Sequence, residues 1–193
     1  MSKLKGLLLT EGMHGMISQA EGLAKGLELD FIHEKIELNS FWNFFPPKIT
    51  PVKNFVFKNN LDNNNFNIVI SCGRKSVIPS IYLKNKYKNK IINIHIQNPK
   101  VSLKNFDFVV VPEHDSLNGA NVISTKGAIH YLTKDELVLS QNYLKSKINP
   151  KKKIVSFVIG GPNKYYNYND KTIDGIFLKI KKNFIQNNYQ AII

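Results

Sequence analysis

The sequence has one cysteine, Cys72, in 193 residues. No disulfide can form within the chain, and a reducing compartment is expected. No apolar run approaches the ~18 residues of a membrane span. Lys3 and Lys5 precede only Gly6-Leu7-Leu8-Leu9, too short for a signal-peptide core. Arginine is nearly absent: the 27 basic residues include one, Arg74. Arginine leads in base-specific contacts, so the net charge of +13 is not read as the footprint of a specific nucleic-acid partner. The lysines are scattered, and 24 asparagines and frequent isoleucines accompany them. AT-rich codons supply these residues, so compositional drift in a bacterial genome, and with it a cytoplasmic location, is the expectation. The remainder is an ordinary globular balance, 42% hydrophobic and 21% charged, with length for one domain and part of a second.

Lys5–Thr10 reads as a buried strand ending at Glu11-Gly12. Met16-Ile17, Ala20, Leu23-Ala24 and Leu27 recur at helical spacing. Phe31–Leu38 alternates as a strand, and Ser40–Pro51, with three prolines and four aromatics, is a loop folded onto the domain surface. Strands are expected at Asn67–Cys72, Ile91–Ile96, Phe106–Val111 and Val122–Ser124. A helix is expected over Ser76–Lys86, with Pro79 in its first turn. Thr133-Lys134-Asp135-Glu136 is a capping box opening a helix to Lys147.

After the linker Asn149–Lys153 the pattern restarts. Ile154–Ile159 is a strand, Gly160-Gly161 a turn, and Asn169 or Asp170 caps a helix with apolar residues at Ile173, Ile176-Phe177, Ile180 and Phe184. Tyr189–Ile193 begins another strand. Near-continuous apolar strands alternating with amphipathic helices indicate a parallel, doubly wound α/β sheet. The fold class expected is two Rossmann-like domains in tandem, 1–148 and 149–193, the second incomplete. The alternative is that residues 154–193 pack onto the first sheet as an extra unit.

Ligands of such sheets bind beyond the carboxyl ends of the strands. Gly12 and Gly15, followed by Gln19, read either as a phosphate-approachable turn before a helix or as a plain βα turn. Gly73-Arg74-Lys75-Ser76 opens a helix, where Arg74 pairs either with a bound phosphate or carboxylate or structurally with Glu113 or Asp115. Gln97 and Asn98 end one strand. Glu113, His114 and Asp115 follow the next, as acid, base and orienter or as simple turn residues. His95 lies between Ile94 and Ile96, the place of a hydrogen-bonded core histidine, and Cys72 sits in an apolar strand, buried and inert. No standard zinc spacing occurs. Gly127 follows the short strand. Gly160-Gly161, with Asn163, Lys164 and Tyr165, reads as an anion cradle beside groups that bond a nucleotide or sugar, or as a tight turn with exposed aromatics.

Taken together, several segments carry a family resemblance. They are Leu9-Thr10-Glu11-Gly12 through Gln19–Ala24, Phe45-Pro46-Pro47, Ser71–Lys75, Ile94–Pro99, Phe106–Asp115, Lys126–His130 and Ile159–Asn163. In this order the chain resembles the mitochondrial-fission "elongated mitochondria" family of plants and many bacteria. The first loop departs from the Gly-His and Asn-Gln pairs of many relatives, reading Gly15-Met16 and Ser18-Gln19, with His14 not equivalent. The resemblance implies a fold like that of the GT-B glycosyltransferases, with an interdomain cleft and a nucleotide-sugar substrate in place of a metal or other cofactor. It implies that the Gly160-Gly161 loop faces the donor diphosphate and that Gly12–Gly15 faces the cleft. Arg74, Glu113 and His114 would contact the acceptor or supply the base. The plant role implies a second function, a non-catalytic adaptor with a protein partner, and peripheral membrane contact.

Overall fold

The computed structural model describes residues 3–61, 65–161 and 167–193. The chain divides into two compact units, Met1–Leu132 and Thr133–Ile193.

In the first unit, β1 (Lys5–Thr10) leads into α1 (His14–Gly26) and β2 (Asp30–Lys35). A segment of short 3-10 turns follows: Ser40–Phe44, Pro47–Ile49 and Asn54–Val56. Then come β3 (Ile68–Cys72), α2 (Val77–Tyr87), β4 (Ile92–Ile96), β5 (Phe108–Pro112) and β6 (Val122–Thr125). Pro79 stands third in α2, where a missing N–H costs no helical bond. The six strands form one parallel sheet in the order β2-β1-β3-β4-β5-β6.

Both faces of the sheet's inner strands β1, β3, β4 and β5 are covered, which is why these strands read as near-continuous apolar runs. Successive side chains point to opposite faces. Leu8, Ile70, Cys72, Ile96 and Val110 pack with Ala20 and Ala24 of α1. Leu7, Leu9 and Val69 pack with Ile78 and Leu83 of α2, and Val109 and Val111 with Val77 and Ile81. Each fully buried leucine contributes about 1.5–3 kcal/mol. The β4–β5 margin is tied by polar bonds. Asp107 Oδ2 accepts from the Asn93 N–H at 2.8 Å and from Lys84 Nζ at 2.6 Å, and Asn93 Oδ1 accepts from the Asp107 N–H at 3.0 Å.

Gly22 lies at a close approach in α1. A Cβ there would stand 2.5 Å from the carbonyl carbon and oxygen of His130. The segment after β6 therefore crosses α1 where the helix has no side chain, and Lys25 Nζ sits 5.1 Å from the Tyr131 ring centroid.

The second unit holds α3 (Lys134–Lys147), β7 (Lys153–Ser156), α4 (Asp170–Asn183) and β8 (Tyr189–Ile192). The expected capping box is formed: Thr133 Oγ1 accepts from the Glu136 N–H, and Glu136 accepts from the Thr133 N–H. Asn169 caps α4 by accepting from the Thr172 N–H at 2.8 Å. Strands β7 and β8 pair in parallel with each other, and neither joins the six-stranded sheet. The strand expected at Ile154–Ile159 stops at Ser156, because its partner β8 ends at Ile192. Helix α3 belongs to this unit, tied to β8 by Gln190 Nε2 donating to the Lys147 carbonyl at 2.8 Å.

Candidate functional site

The strand order reverses between β1 and β3. From β1 the chain runs outward to β2, then returns to place β3 on the other side. At such a switch point the loops leaving the two strands diverge and open a crevice at the carboxyl edge. Two of the expected ligand positions, Gly12 and Gly73, leave these two strands, and both have positive φ, +83° and +96°. The Gly12 N–H donates to Thr10 Oγ1 at 3.0 Å, and that hydroxyl lies 2.7 Å from His33 Nε2. A Cβ on Gly73 would lie 2.6 Å from Met16 Sδ and 2.9 Å from Glu11 Oε1. Both positions thus favour glycine for backbone conformation, and the flexible side chains of Lys35, Met16 and Glu11 occupy the space a Cβ would take.

Glu11 is the residue that sequence reasoning passed over. Its mostly buried carboxylate accepts from the Lys75 N–H at 3.1 Å and faces the Lys75 ammonium at 4.0 Å, joining the two loops. One carboxylate after a strand carries no local signal. Its role depends on β3 lying beside β1.

Arg74 reaches neither Glu113 nor Asp115, and among the described residues it forms no ion pair. Its guanidinium donates to the carbonyls of Asn43, at 2.8 Å, and Phe45, at 3.4 Å. The one arginine therefore fastens the aromatic 3-10 segment to the end of β3. Trp42 of that segment packs on the core, and Phe41, Phe45 and Phe55 have ring centroids 4.9–6.1 Å from neighbouring rings of this cluster. Phe44 is 84% exposed.

The other candidates lie along the same edge. Gly15 and Gln19 are in the first turns of α1, where Gln19 Nε2 donates to the Gly15 carbonyl at 3.1 Å. Met13, the N-cap, offers no side-chain acceptor. Gln97 adopts φ +84° and donates its N–H to the Val110 carbonyl, and Asn98 Oδ1 accepts from the Lys100 N–H. Glu113, His114 and Asp115 form a 3-10 turn directly after β5. All three are exposed, with His114 Nε2 3.7 Å from Asp115 Oδ1. Gly127 follows β6, its carbonyl accepting from Thr125 Oγ1 at 2.7 Å.

His95 and Cys72 are buried in the sheet as expected. Burial pushes the His95 pKa down to about 3. Burial, reinforced by the Glu11 carboxylate, pushes the Cys72 thiol up to about 12. Among the described residues no group of three or more histidine, cysteine, aspartate or glutamate side chains is placed to hold a metal. No helix among them is long and apolar enough to cross a membrane.

In the second unit, Gly160 and Gly161 follow β7, and a Cβ at either would meet nothing within 4 Å. Asn163, Lys164 and Tyr165 lie outside the described residues. Ile159, Gly160, Tyr168, Ile173, Ile176 and Phe177 line an apolar cavity of about 280 Å³.

A parallel six-stranded sheet covered on both faces, with glycine turns opening its switch point, defines a Rossmann-like α/β domain. The family model of mitochondrial fission ELM1 matches residues 14–193, and the chain belongs to that family. No curated protein and no solved structure matches the chain.

Proposed function

We propose that this chain is a nucleotide-sugar-binding protein of GT-B-like architecture, a cytoplasmic bacterial glycosyltransferase. The observation that carries the reading is a repeated unit: β1, a glycine turn and α1 in the first unit, then β7, Gly160-Gly161 and α4 in the second. A helix N-terminus leaves backbone N–H groups without intrahelical partners, which suits a diphosphate, and the space around Gly160 and Gly161 is open. In this reading the donor diphosphate approaches Gly160-Gly161, and Asn163, Lys164 and Tyr165 bind the nucleotide. The carboxyl edge of the first sheet receives the acceptor. The bond between the sugar carbon and the diphosphate breaks, the acceptor oxygen bonds to that carbon, and Glu113 or His114 takes the acceptor proton. Arg74 holds the acceptor-side wall through Asn43 and Phe45. Positioning and stabilisation of the leaving diphosphate do most of the work.

The test is a thermal-shift panel of nucleoside diphosphates and their sugars on the protein expressed from its native gene. A ligand at a hundred times its Kd adds about 2.7 kcal/mol, a rise of roughly 5–10 °C for a chain of this size. Gly161→Val is the matched variant. Its side chain starts in open space, so the ligand-free melting temperature holds while the shift is lost.

A second reading, a non-catalytic adaptor on the same fold, draws on the exposed Phe41, Phe44, Ile49 and Phe55 in one segment of the first unit. Clustered apolar exposure suits a protein surface. A panel in which no nucleoside diphosphate moves the transition removes the first reading and leaves this one.

A further inference from the structure

The segment between β2 and β3 holds large apolar side chains in solvent. Phe44 is 84% exposed, Phe41 and Ile49 are 62% exposed each, and Phe55 is 55% exposed. Their exposure is not that of a loose loop. Trp42 packs on the core, and Arg74 holds the carbonyls of Asn43 and Phe45. Thr50 Oγ1 donates to the Pro46 carbonyl at 2.9 Å, and the Asn39 N–H donates to the Val56 carbonyl at 2.9 Å. The backbone is clamped on both sides of the exposed rings. Phe41 stacks edge-on against Trp42, which also meets Phe55, so these rings form one cluster.

The charge of this segment has one sign. No aspartate or glutamate occurs between Glu37 and Asp62, whereas Lys48, Lys53 and Lys58 do. Lys48 adjoins Ile49, and Lys53 stands two residues before Phe55. Both lysines are exposed, and neither forms an ion pair among the described residues. Lys48 and Lys100 also line one surface groove of about 440 Å³, which no carboxylate lines. Exposed aromatics suit the boundary between headgroups and acyl chains, and lysines beside them suit anionic headgroups. The cores of protein interfaces are depleted in lysine, while each lysine near an anionic bilayer adds attraction. The pairing of rigidly held rings with unopposed lysines therefore favours a bilayer over a protein.

We propose that this face docks the protein on an anionic lipid bilayer, with Phe41, Phe44 and Phe55 entering the interface and Lys48, Lys53 and Lys100 against the headgroups. The face lies within the first unit and does not rest on the nucleotide-sugar reading. The test is sedimentation of the full chain with vesicles of phosphatidylcholine alone and of phosphatidylcholine mixed with phosphatidylglycerol. Emission from Trp42, the one tryptophan, is the second readout. The chain binds the mixed vesicles saturably, with a blue shift of Trp42, and binds the neutral vesicles far more weakly. A net charge of +13 also draws scattered lysines to such vesicles, so matched variants decide. Phe44→Ser keeps the charge and weakens binding about tenfold. Lys48→Gln weakens it about fivefold. Lys90→Gln removes the same charge just before the amino end of β4 and changes affinity less than about twofold. All three residues are exposed, and an unchanged melting temperature shows that each variant folds. Equal binding by the parent and Phe44→Ser, or equal losses in Lys48→Gln and Lys90→Gln, overturns the proposal. Absence of binding to either vesicle also overturns it and leaves the exposed rings to a protein partner. None of these results bears on the nucleoside diphosphate panel.

Discussion

His95 Nδ1 lies 2.8 Å from Ser71 Oγ, between registered partners on β4 and β3. The Phe106 ring sits beside the imidazole, with centroids 5.1 Å apart. Ser71 Oγ also reaches the Ile94 carbonyl at 3.2 Å. A hydroxyl has one proton, so when Ser71 donates to that carbonyl, the neutral ring donates Nδ1–H to Oγ. No carboxylate accompanies the ring among these contacts, and burial disfavours its charged form.

Stability therefore depends on pH through His95. Its folded pKa is lowered from 6.5 to about 3. The contribution is full above pH 6.5. As pH falls, the unfolded chain takes up a proton that the fold refuses, and stability declines until pH reaches about 3. Between pH 6.5 and 5 the loss approaches 2 kcal/mol. Urea melts at the two pH values should show this loss in the parent. In His95→Leu, where Ser71 keeps the Ile94 carbonyl, they should show that much less. Equal pH dependence in the two proteins would refute the assignment.

Two glycines of α1 predict opposite outcomes. A methyl group on Gly22 strikes the backbone of His130, which cannot swing aside as a side chain can. Gly22→Ala should cost about 1–3 kcal/mol. At Gly26 a Cβ meets nothing, and Gly26→Ala should gain about 0.5–1 kcal/mol from helix propensity. Chemical denaturation of both variants checks the contrast. A neutral Gly22→Ala would mean that the segment after β6 does not press on α1.

Cys72 should be silent toward thiol reagents in the native protein. Its thiol is pushed up to about 12 by burial and the Glu11 carboxylate, so at pH 8 almost no thiolate exists. Labelling with a chromogenic disulfide should follow unfolding and become immediate in denaturant. Rapid stoichiometric labelling of the folded chain would contradict the buried placement.

The inner strands β1, β3, β4 and β5 were legible because strands buried on both faces are mostly apolar, and β2 because it alternates, while α1 repeats at helical spacing. The capping box at Thr133 and the cap at Asn169 were legible because both are local hydrogen bonds. Strand order was not, because it depends on which edges pair after each crossover. The switch point, and with it the joining of Glu11 to Lys75, therefore emerged only in three dimensions. Arg74 was singled out by its rarity, but its partners are backbone carbonyls some 30 positions away, which no residue pattern encodes. Gly22 did carry a signal, a glycine inside a helical period, and its cause is the close approach of His130.

The most direct measurement of the proposed function is calorimetric titration of the natively expressed protein and its Gly161→Val variant with nucleoside diphosphates and their sugars. One saturable site per chain in the parent, lost in a variant that melts at the parent's temperature, is the predicted result. No binding heat from any of these ligands, or equal affinity in parent and variant, would contradict a nucleotide-sugar site at Gly160-Gly161.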